Sequence, residues 1–270
     1  MNNSNVLIFG AGEISNLLIK ELTFRHNKVL CVSNNRFGQI NNLSYEEILN
    51  QKLEVDTAIF AWKDSTRLIS DNHAILNWIE SGNFHANKSF HLSSSSVYKD
   101  SNAPQNENCK VLENNKKLEL ENLLKEIALK KESIHINLRI SNVYGIDVSY
   151  GFIGALFDSI KHGSEVSVFQ NLSITRDYVH VHDVIYAIRM LLEVDTDLEC
   201  INISTGIGTT ISQVLDIFAS KGYYFEKRTE IASNLLVKQV SILDCANLSE
   251  LINWQPRGLA EVLSELLPIK

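Results

Sequence analysis

A chain of 270 residues, 44% hydrophobic and 21% charged, has the composition of one large α/β domain or a domain with a smaller lobe. Its formal net charge of −7 excludes a nucleic-acid partner held through phosphate contacts. Cys31, Cys109, Cys200 and Cys245 form no C-x-x-C pair, no signal peptide precedes Val6, and no apolar run approaches membrane-spanning length; a cytoplasmic protein with reduced thiols and no membrane partner is expected.

Val6-Leu-Ile-Phe9 is a short apolar run that meets Gly10-Ala-Gly12 and then an amphipathic pattern through Ile19. This predicts a first strand, a tight turn and a first helix. The spacing Gly10-x-Gly12-x-x-Ser15 is close to the dinucleotide fingerprint G-x-G-x-x-G/A. Gly10 has access to a backbone conformation that strains other residues. Gly12 carries no side chain to hold a pyrophosphate away, and Ser15 is small enough for close helix–strand approach. The phosphates are then expected on the N–H groups of the helix start around Gly12, Glu13 and Ile14.

Residues 28–33 read as the second strand. An acidic residue about 20 positions past the glycines accepts the ribose 2′-hydroxyl of NAD. Here the chain has Ser33-Asn34-Asn35-Arg36 instead. No carboxylate repels a 2′-phosphate and Arg36 is able to pair with one, so NADP(H) is favoured over NAD(H). Residues 45–51 read as a short helix, and 55–61 as a buried strand ending at Ala61, a candidate cofactor contact; the exit loop Trp62-Lys-Asp-Ser65 that follows faces the cofactor in a doubly wound sheet. Residues 68–79 have helical spacing.

Residues 89–93 form the next strand, ending in the hydroxyl run Ser93-Ser94-Ser95-Ser96 before Val97-Tyr98. Ligands of open α/β sheets bind at such carboxyl ends. A polar loop over 99–112 precedes a long helix over 113–131. Strand 134–140 runs into Ser141-Asn142-Val143-Tyr144-Gly145. Further helices are expected over 152–160, 184–192, 211–219, 247–252 and 259–267, with strands over 165–169 and 200–204 and a strand-like piece over 235–243. His180 and His182 alternate along a strand-like segment and are expected on opposite faces, so no metal site is assigned to them.

Taken together, these stretches resemble the extended short-chain dehydrogenase/reductase family, in particular its NAD-dependent epimerase/dehydratase group acting on nucleotide sugars. The resemblance covers nearly the whole chain. It rests on the glycine turn at 10–15, Asp56 to Ala61, Ser93 to Tyr98, Lys117-Leu-Glu-Leu-Glu121, Arg139 to Gly145, Arg176-Asp-Tyr-Val-His-Val-His-Asp183, Asn202 to Gly206 and Trp254-Gln-Pro256. The run from Arg176 to Asp183 is the most specific. The resemblance implies a Rossmann-type doubly wound parallel sheet, built from 1–145 and 179–206, with a smaller C-terminal substrate-binding lobe from 146–178 and 207–270. A homodimer is also implied.

The family's chemistry is hydride transfer between a nicotinamide and a sugar carbon, coupled to movement of a hydroxyl proton. By position, Lys117 matches the lysine that binds the nicotinamide ribose, and Ser94 the hydroxyl residue that holds the substrate oxygen. Asn142 and Arg176 match residues near the phosphates of the sugar nucleotide. The family's active-site tyrosine lies four residues before that lysine, and Glu113 stands there.

Glu113 is a candidate acid if burial raises its pKa, although Lys117 opposes this; a helix charge pair one turn apart is the alternative. Ser94 with a bound water is another proton route. A dehydratase is disfavoured because Ser95 and Ser96 stand where relatives carry an acidic pair. A 4-epimerase is weakened because one group must both remove and return a proton. A 4-ketoreductase of a nucleotide-linked 4-keto-6-deoxy sugar best tolerates the missing tyrosine. The alternatives are an epimerase or a catalytically silent homologue that binds NAD(P) or a nucleotide sugar.

Overall fold

The computed structural model describes residues 5–25, 28–34, 42–62, 73–163, 167–168, 171–227 and 238–269. Its first half runs β1 (Asn5–Phe9), α1 (Glu13–Phe24), β2 (Lys28–Val32), β3 (Asn42–Leu43), α2 (Tyr45–Leu49), β4 (Leu53–Phe60), α3 (His73–Glu80), β5 (Phe84–Ser94), a single 3₁₀ turn (Ser95–Val97), α4 (Lys116–Lys130) and β6 (Ile134–Ile140). The second half runs β7 (Asn142–Tyr144), α5 (Gly151–His162), β8 (Ser167–Val168), β9 (Thr175–His180), α6 (Val181–Leu192) and β10 (Cys200–Ile203). It closes with β11 (Gly208–Thr210), α7 (Ile211–Ser220), β12 (Glu226–Lys227), β13 (Val240–Ser241), α8 (Ala246–Leu251) and α9 (Leu259–Leu266).

Seven strands form one parallel sheet in the order β10-β6-β5-β4-β1-β2-β3. The chain moves outward from β1 through β2 to β3, then returns to pair β4 on the other side of β1. That reversal is the switch point at which open α/β sheets bind ligands. Helix α1 is amphipathic: it buries Ser15, Leu18, Ile19 and Leu22, the spacing of one helix face. Helix α4 buries Leu120, Leu124, Ile127 and Ala128 the same way. Each large apolar side chain so buried contributes about 1.5–3 kcal/mol. The core beside the sheet is aromatic, with Phe9 stacked on Phe60 and Phe60 on Trp62, each at 5.1 Å between centroids.

The chain divides into two compact units, residues 1–97, 111–139 and 188–201, and residues 98–110, 140–187 and 202–270. In the second unit β9 pairs with β7 and β13 in parallel and with β11 antiparallel. Its core gathers Tyr144, Ile153, Leu156, Tyr178, Leu215 and Phe218. Residues 98–110, 140–145, 179–187 and 202–206 group with this unit, whereas their sequence position puts them with the first. Hydrogen bonds explain this: Asn202 donates to the carbonyls of Gln105 and Asp244, and its backbone N–H to Glu107.

Two local expectations change. The helix expected over 113–131 starts at Lys116, because Asn115 takes an extended conformation and caps it, accepting the N–H groups of Lys117 and Leu118. Glu113 therefore lies in an exposed turn before the helix and is not a helix partner of Lys117. The segment around His180 is a strand only up to that residue. Val181 begins α6, so the His180 and His182 rings do not point to opposite faces but lie 5.2 Å apart. Arg36 and residues 68–72 of the helix expected over 68–79 lie outside the described residues; its described part is α3.

Candidate active site

The switch point is built by two backbone crossings. Gly10 N–H donates to Val32 O at 2.9 Å, and Ala61 N–H donates to Phe9 O at 2.8 Å. Gly10 takes φ +96°, and a Cβ there would lie 2.6 Å from Ala61 O, so both conformation and space require glycine. Gly12 differs: among the described residues a Cβ would meet only Ser15 Oγ, at 3.8 Å. Gly12 is the residue that caps α1. Asn16 N–H is accepted by Gly12 O at 2.9 Å. The N–H groups ahead of it in the first turn have no helical carbonyl behind them, as at any helix start. Ser15 does more than stay small. Its buried hydroxyl accepts Gly12 N–H at 2.8 Å and donates back to Gly12 O at 3.1 Å, which fixes the turn.

After β2, Ser33 is buried and its N–H donates to Leu43 O. Asn34 is exposed, and its Oδ1 accepts Tyr45 N–H at 3.1 Å, which ties α2 to this edge. Trp62, just past Ala61, donates its indole N–H to Tyr45 OH at 3.0 Å. Gly10, Gly12, Ser33, Asn34 and Ala61 thus share one edge of the sheet.

Ser94 ends β5. Its Oγ accepts Ser96 N–H at 3.2 Å and keeps its own O–H as a donor. Lys117 sits in the first turn of α4. One turn later Glu121 is buried in an ion pair with Arg139, Oε2 to Nη2 at 2.7 Å, and it also accepts the Ser93 hydroxyl.

Beneath α4 the sheet face between β5 and β6 is polar. Ser89 Oγ donates to His135 Nδ1 at 2.8 Å, and Asn137 Oδ1 accepts from His91 Nδ1 at 3.1 Å and His135 Nε2 at 3.2 Å. Burial pushes the His91 imidazole down to about 4; the Asn137 bond opposes this and the Lys117 charge assists it. Burial, helped by His91, also pushes His135 down to about 4.

In the second unit Asn142 pairs with Tyr178 across β7 and β9, and its Nδ2 donates to Asp177 O at 3.1 Å. Arg176 Nη1 donates to Thr175 O and Gln239 O, and Nη2 to Lys238 O at 2.7 Å. Guanidinium carries five N–H donors. Among the described residues these carbonyls leave the Nε–H and one Nη2–H for an anion. Asp177 beside it is fully buried and accepts Thr205 N–H and O–H and Gly206 N–H at 2.7–3.0 Å.

The model of the NAD dependent epimerase/dehydratase family matches residues 60–204, more than half of the 270-residue chain. The chain belongs to this family. A dTDP-4-dehydro-6-deoxyglucose reductase of Escherichia coli is 28% identical over 105 residues, 37% of this chain and 33% of that protein. The match therefore spans about a third of that reductase's length. MoeE5, solved with UDP-glucuronic acid and NAD, superposes with a TM-score of 0.82 at 19% identity over 98% of this chain and 97% of that one. The UDP-glucose 4-epimerase of Thermotoga maritima, solved with UDP-glucose, gives 0.76 at 23% identity over 96% of each chain. At such identities the likeness establishes the fold.

The family is NAD dependent, and the β1–α1 turn fits a dinucleotide: among the described residues the space that a Gly12 Cβ would fill is open, at the residue that caps α1. Among the described residues no group of three His, Cys, Asp or Glu side chains is placed to hold a metal, and no helix is long and apolar enough to cross a membrane. Reasoning from sequence missed Glu121 and Asp177 as anchors. Glu121 had a readable signal, since a carboxylate sits in the apolar phase of α4 between Leu120 and Leu124. Asp177 had none beyond its motif.

Proposed function

We propose that this chain is an NAD(P)(H)-dependent nucleotide-sugar oxidoreductase, and more specifically a 4-ketoreductase of a nucleotide-linked 4-keto-6-deoxy sugar. The observation that carries the reading is Glu113. The position that would hold a proton-shuttling tyrosine carries an exposed side chain outside α4. An epimerase must remove and return a proton at one group, whereas a reductase needs one proton delivered once, which water can supply. The reductase named among the relatives supports the same choice.

In this reading the pyrophosphate lies over the Gly10–Gly12 turn against the backbone of Glu13 and Ile14, Ser33 and Asn34 meet the adenine ribose, and Ala61 and Lys117 meet the rest of the dinucleotide. The bound reduced nicotinamide supplies the hydride. Ser94 donates its hydroxyl proton as a hydrogen bond to the substrate carbonyl oxygen, stabilising the charge that develops there. Lys117 holds the nicotinamide ribose. Arg176 offers its remaining N–H donors to the nucleotide diphosphate, and Asn142 its carboxamide oxygen to the substrate. NADP(H) is the preferred cofactor: no carboxylate stands in the sequence from Ser33 to Arg36, and the Asn34 oxygen is occupied by Tyr45 N–H while, among the described residues, its N–H groups stay available as donors.

The test is loss of reduced-nicotinamide absorbance with NADPH or NADH and a panel of nucleotide-linked 4-keto-6-deoxy sugars. Oxidation stoichiometric with product, faster with NADPH and abolished in Ser94→Ala and Lys117→Ala, is expected. Interconversion of C4 epimers of nucleotide-linked 4-hydroxy sugars, assayed alongside with NAD and no net oxidation, would make the protein an epimerase. A second reading, a homologue that binds the dinucleotide without turnover, is favoured by the same exposed Glu113. It predicts tight NADPH binding with no oxidation of any substrate in the panel.

A further inference from the structure

We infer that Glu121 is a positioning residue that sets the placement of Lys117 relative to Ser94, acting through Ser93 and Arg139. The inference rests on the reading of Lys117 as a dinucleotide ligand. Three elements meet at the Glu121 carboxylate. Ser93, the neighbour of Ser94 at the end of β5, donates its hydroxyl to Oε1. Arg139, one residue from the end of β6, brings Nε to both oxygens at 3.2 Å and Nη2 to Oε2 at 2.7 Å. The carboxylate itself belongs to α4, whose first turn carries Lys117.

The side chains of Arg139 and Glu121 are only 9% and 3% exposed. Lys117 and Glu121 are four residues apart, so they share a helix face and stand about 6 Å apart along the axis. Apolar contacts under a helix tolerate small slides and rotations because dispersion is non-directional. A forked carboxylate–guanidinium pair does not, since turning or sliding α4 breaks bonds that no water replaces. The ends of β5 and β6 are thereby locked to α4 at one point, one turn from Lys117 and one residue from Ser94. The Glu121 charge is matched by Arg139, so its influence on Lys117 is positional.

The experiment is titration of NADH and NADPH, followed by quenching of protein fluorescence. It uses the wild-type chain, Glu121→Gln, Ser93→Ala, Lys117→Ala and the two doubles with Lys117→Ala, with thermal melting of each unliganded protein. Ser93→Ala keeps the ion pair and the fold and is expected to weaken dinucleotide binding about threefold; Glu121→Gln is expected to weaken it about tenfold, or 1.4 kcal/mol. In the Lys117→Ala background neither change should alter affinity, because the group being positioned is gone.

Unchanged affinity in folded Ser93→Ala overturns the inference, and so does equal weakening with and without Lys117. If Glu121→Gln does not fold, because Arg139 is left as an uncompensated buried charge, the Ser93→Ala cycle decides alone. Wild-type protein that binds neither dinucleotide overturns the cofactor reading and this inference together. Wild-type binding with an additive cycle overturns the inference only.

Discussion

Tyr98 donates its phenol proton to Asn202 Oδ1 at 2.7 Å, and both side chains are fully buried in the second unit. Tyr98 closes the strand-end motif that carries Ser94, yet its hydroxyl is committed to structure. Tyr98→Phe leaves the Asn202 oxygen without this donor, which should cost about 1–3 kcal/mol. A lower urea midpoint with unchanged NADPH affinity is the expected result. A large loss of affinity at unchanged stability would place Tyr98 in the binding machinery.

The two glycines of the β1–α1 turn make opposite demands. Gly10→Ala forces a non-glycine residue to φ +96° and a Cβ to 2.6 Å from Ala61 O. The conformational strain alone is about 1–2 kcal/mol, and the backbone clash adds to it, so reduced melting temperature or insolubility is expected. Gly12→Ala meets nothing closer than 3.8 Å and should fold normally. It should nonetheless weaken NADPH binding at least tenfold, because its methyl group fills the pyrophosphate approach. Equilibrium dialysis beside a melting curve separates the two effects.

Acid should destabilise the sheet beneath α4. The folded pKa values of His91 and His135 lie at about 4, below the ordinary 6.5. Between these limits the unfolded chain binds more protons than the folded one, so stability rises with pH across that window. It is complete above about pH 6.5 and is lost progressively as pH falls toward 4. Urea midpoints at pH 7.5, 6.0 and 5.0 should fall in that order. In His91→Gln, which keeps a donor for Asn137 but does not titrate, the slope should be shallower. An unchanged slope would assign the acid sensitivity elsewhere, His180 first, since burial also pushes it down to about 4.

Asp177 holds the turn after β10 through Thr205 and Gly206. Asp177→Asn turns an N–H2 donor toward groups that are themselves donors, and hydrogen bonds to a charged acceptor are worth about 1.5–3 kcal/mol each. A drop of that order in unfolding free energy is expected by urea titration. A variant as stable as wild type would show that the turn forms without the carboxylate.

Much of the fold was legible in the residues. The apolar run before Gly10-x-Gly12, the helical spacing of α1, α4 and α7, and the strand ending at Ser94 each sit where their periodicity and glycines put them. These are local signals, carried by side-chain alternation and by φ/ψ freedom, so a single sequence contains them. The start of α4 was harder to read, because residues 113–115 fit a helical turn as well as a loop until Asn115 folds back as a cap. The break at Val181 was hidden for the same reason: alternating His180 and His182 reads as strand, and only the packing of α6 turns it into helix.

The sequence by itself determined the parallel sheet, the dinucleotide turn and the family, because these depend on short stretches in a fixed order. Tertiary structure alone decided what the polar residues of β5 and β6 do. Ser89, His91 and Ser93 alternate with Phe90 and Leu92, and His135, Asn137 and Arg139 alternate with Ile136 and Leu138. Such alternation ordinarily marks a face turned to water. Here α4 covers that face, and the polar groups are satisfied by one another and by Glu121. Which residue meets which across two strands and a helix is a long-range pairing, and local pattern carries no information about it.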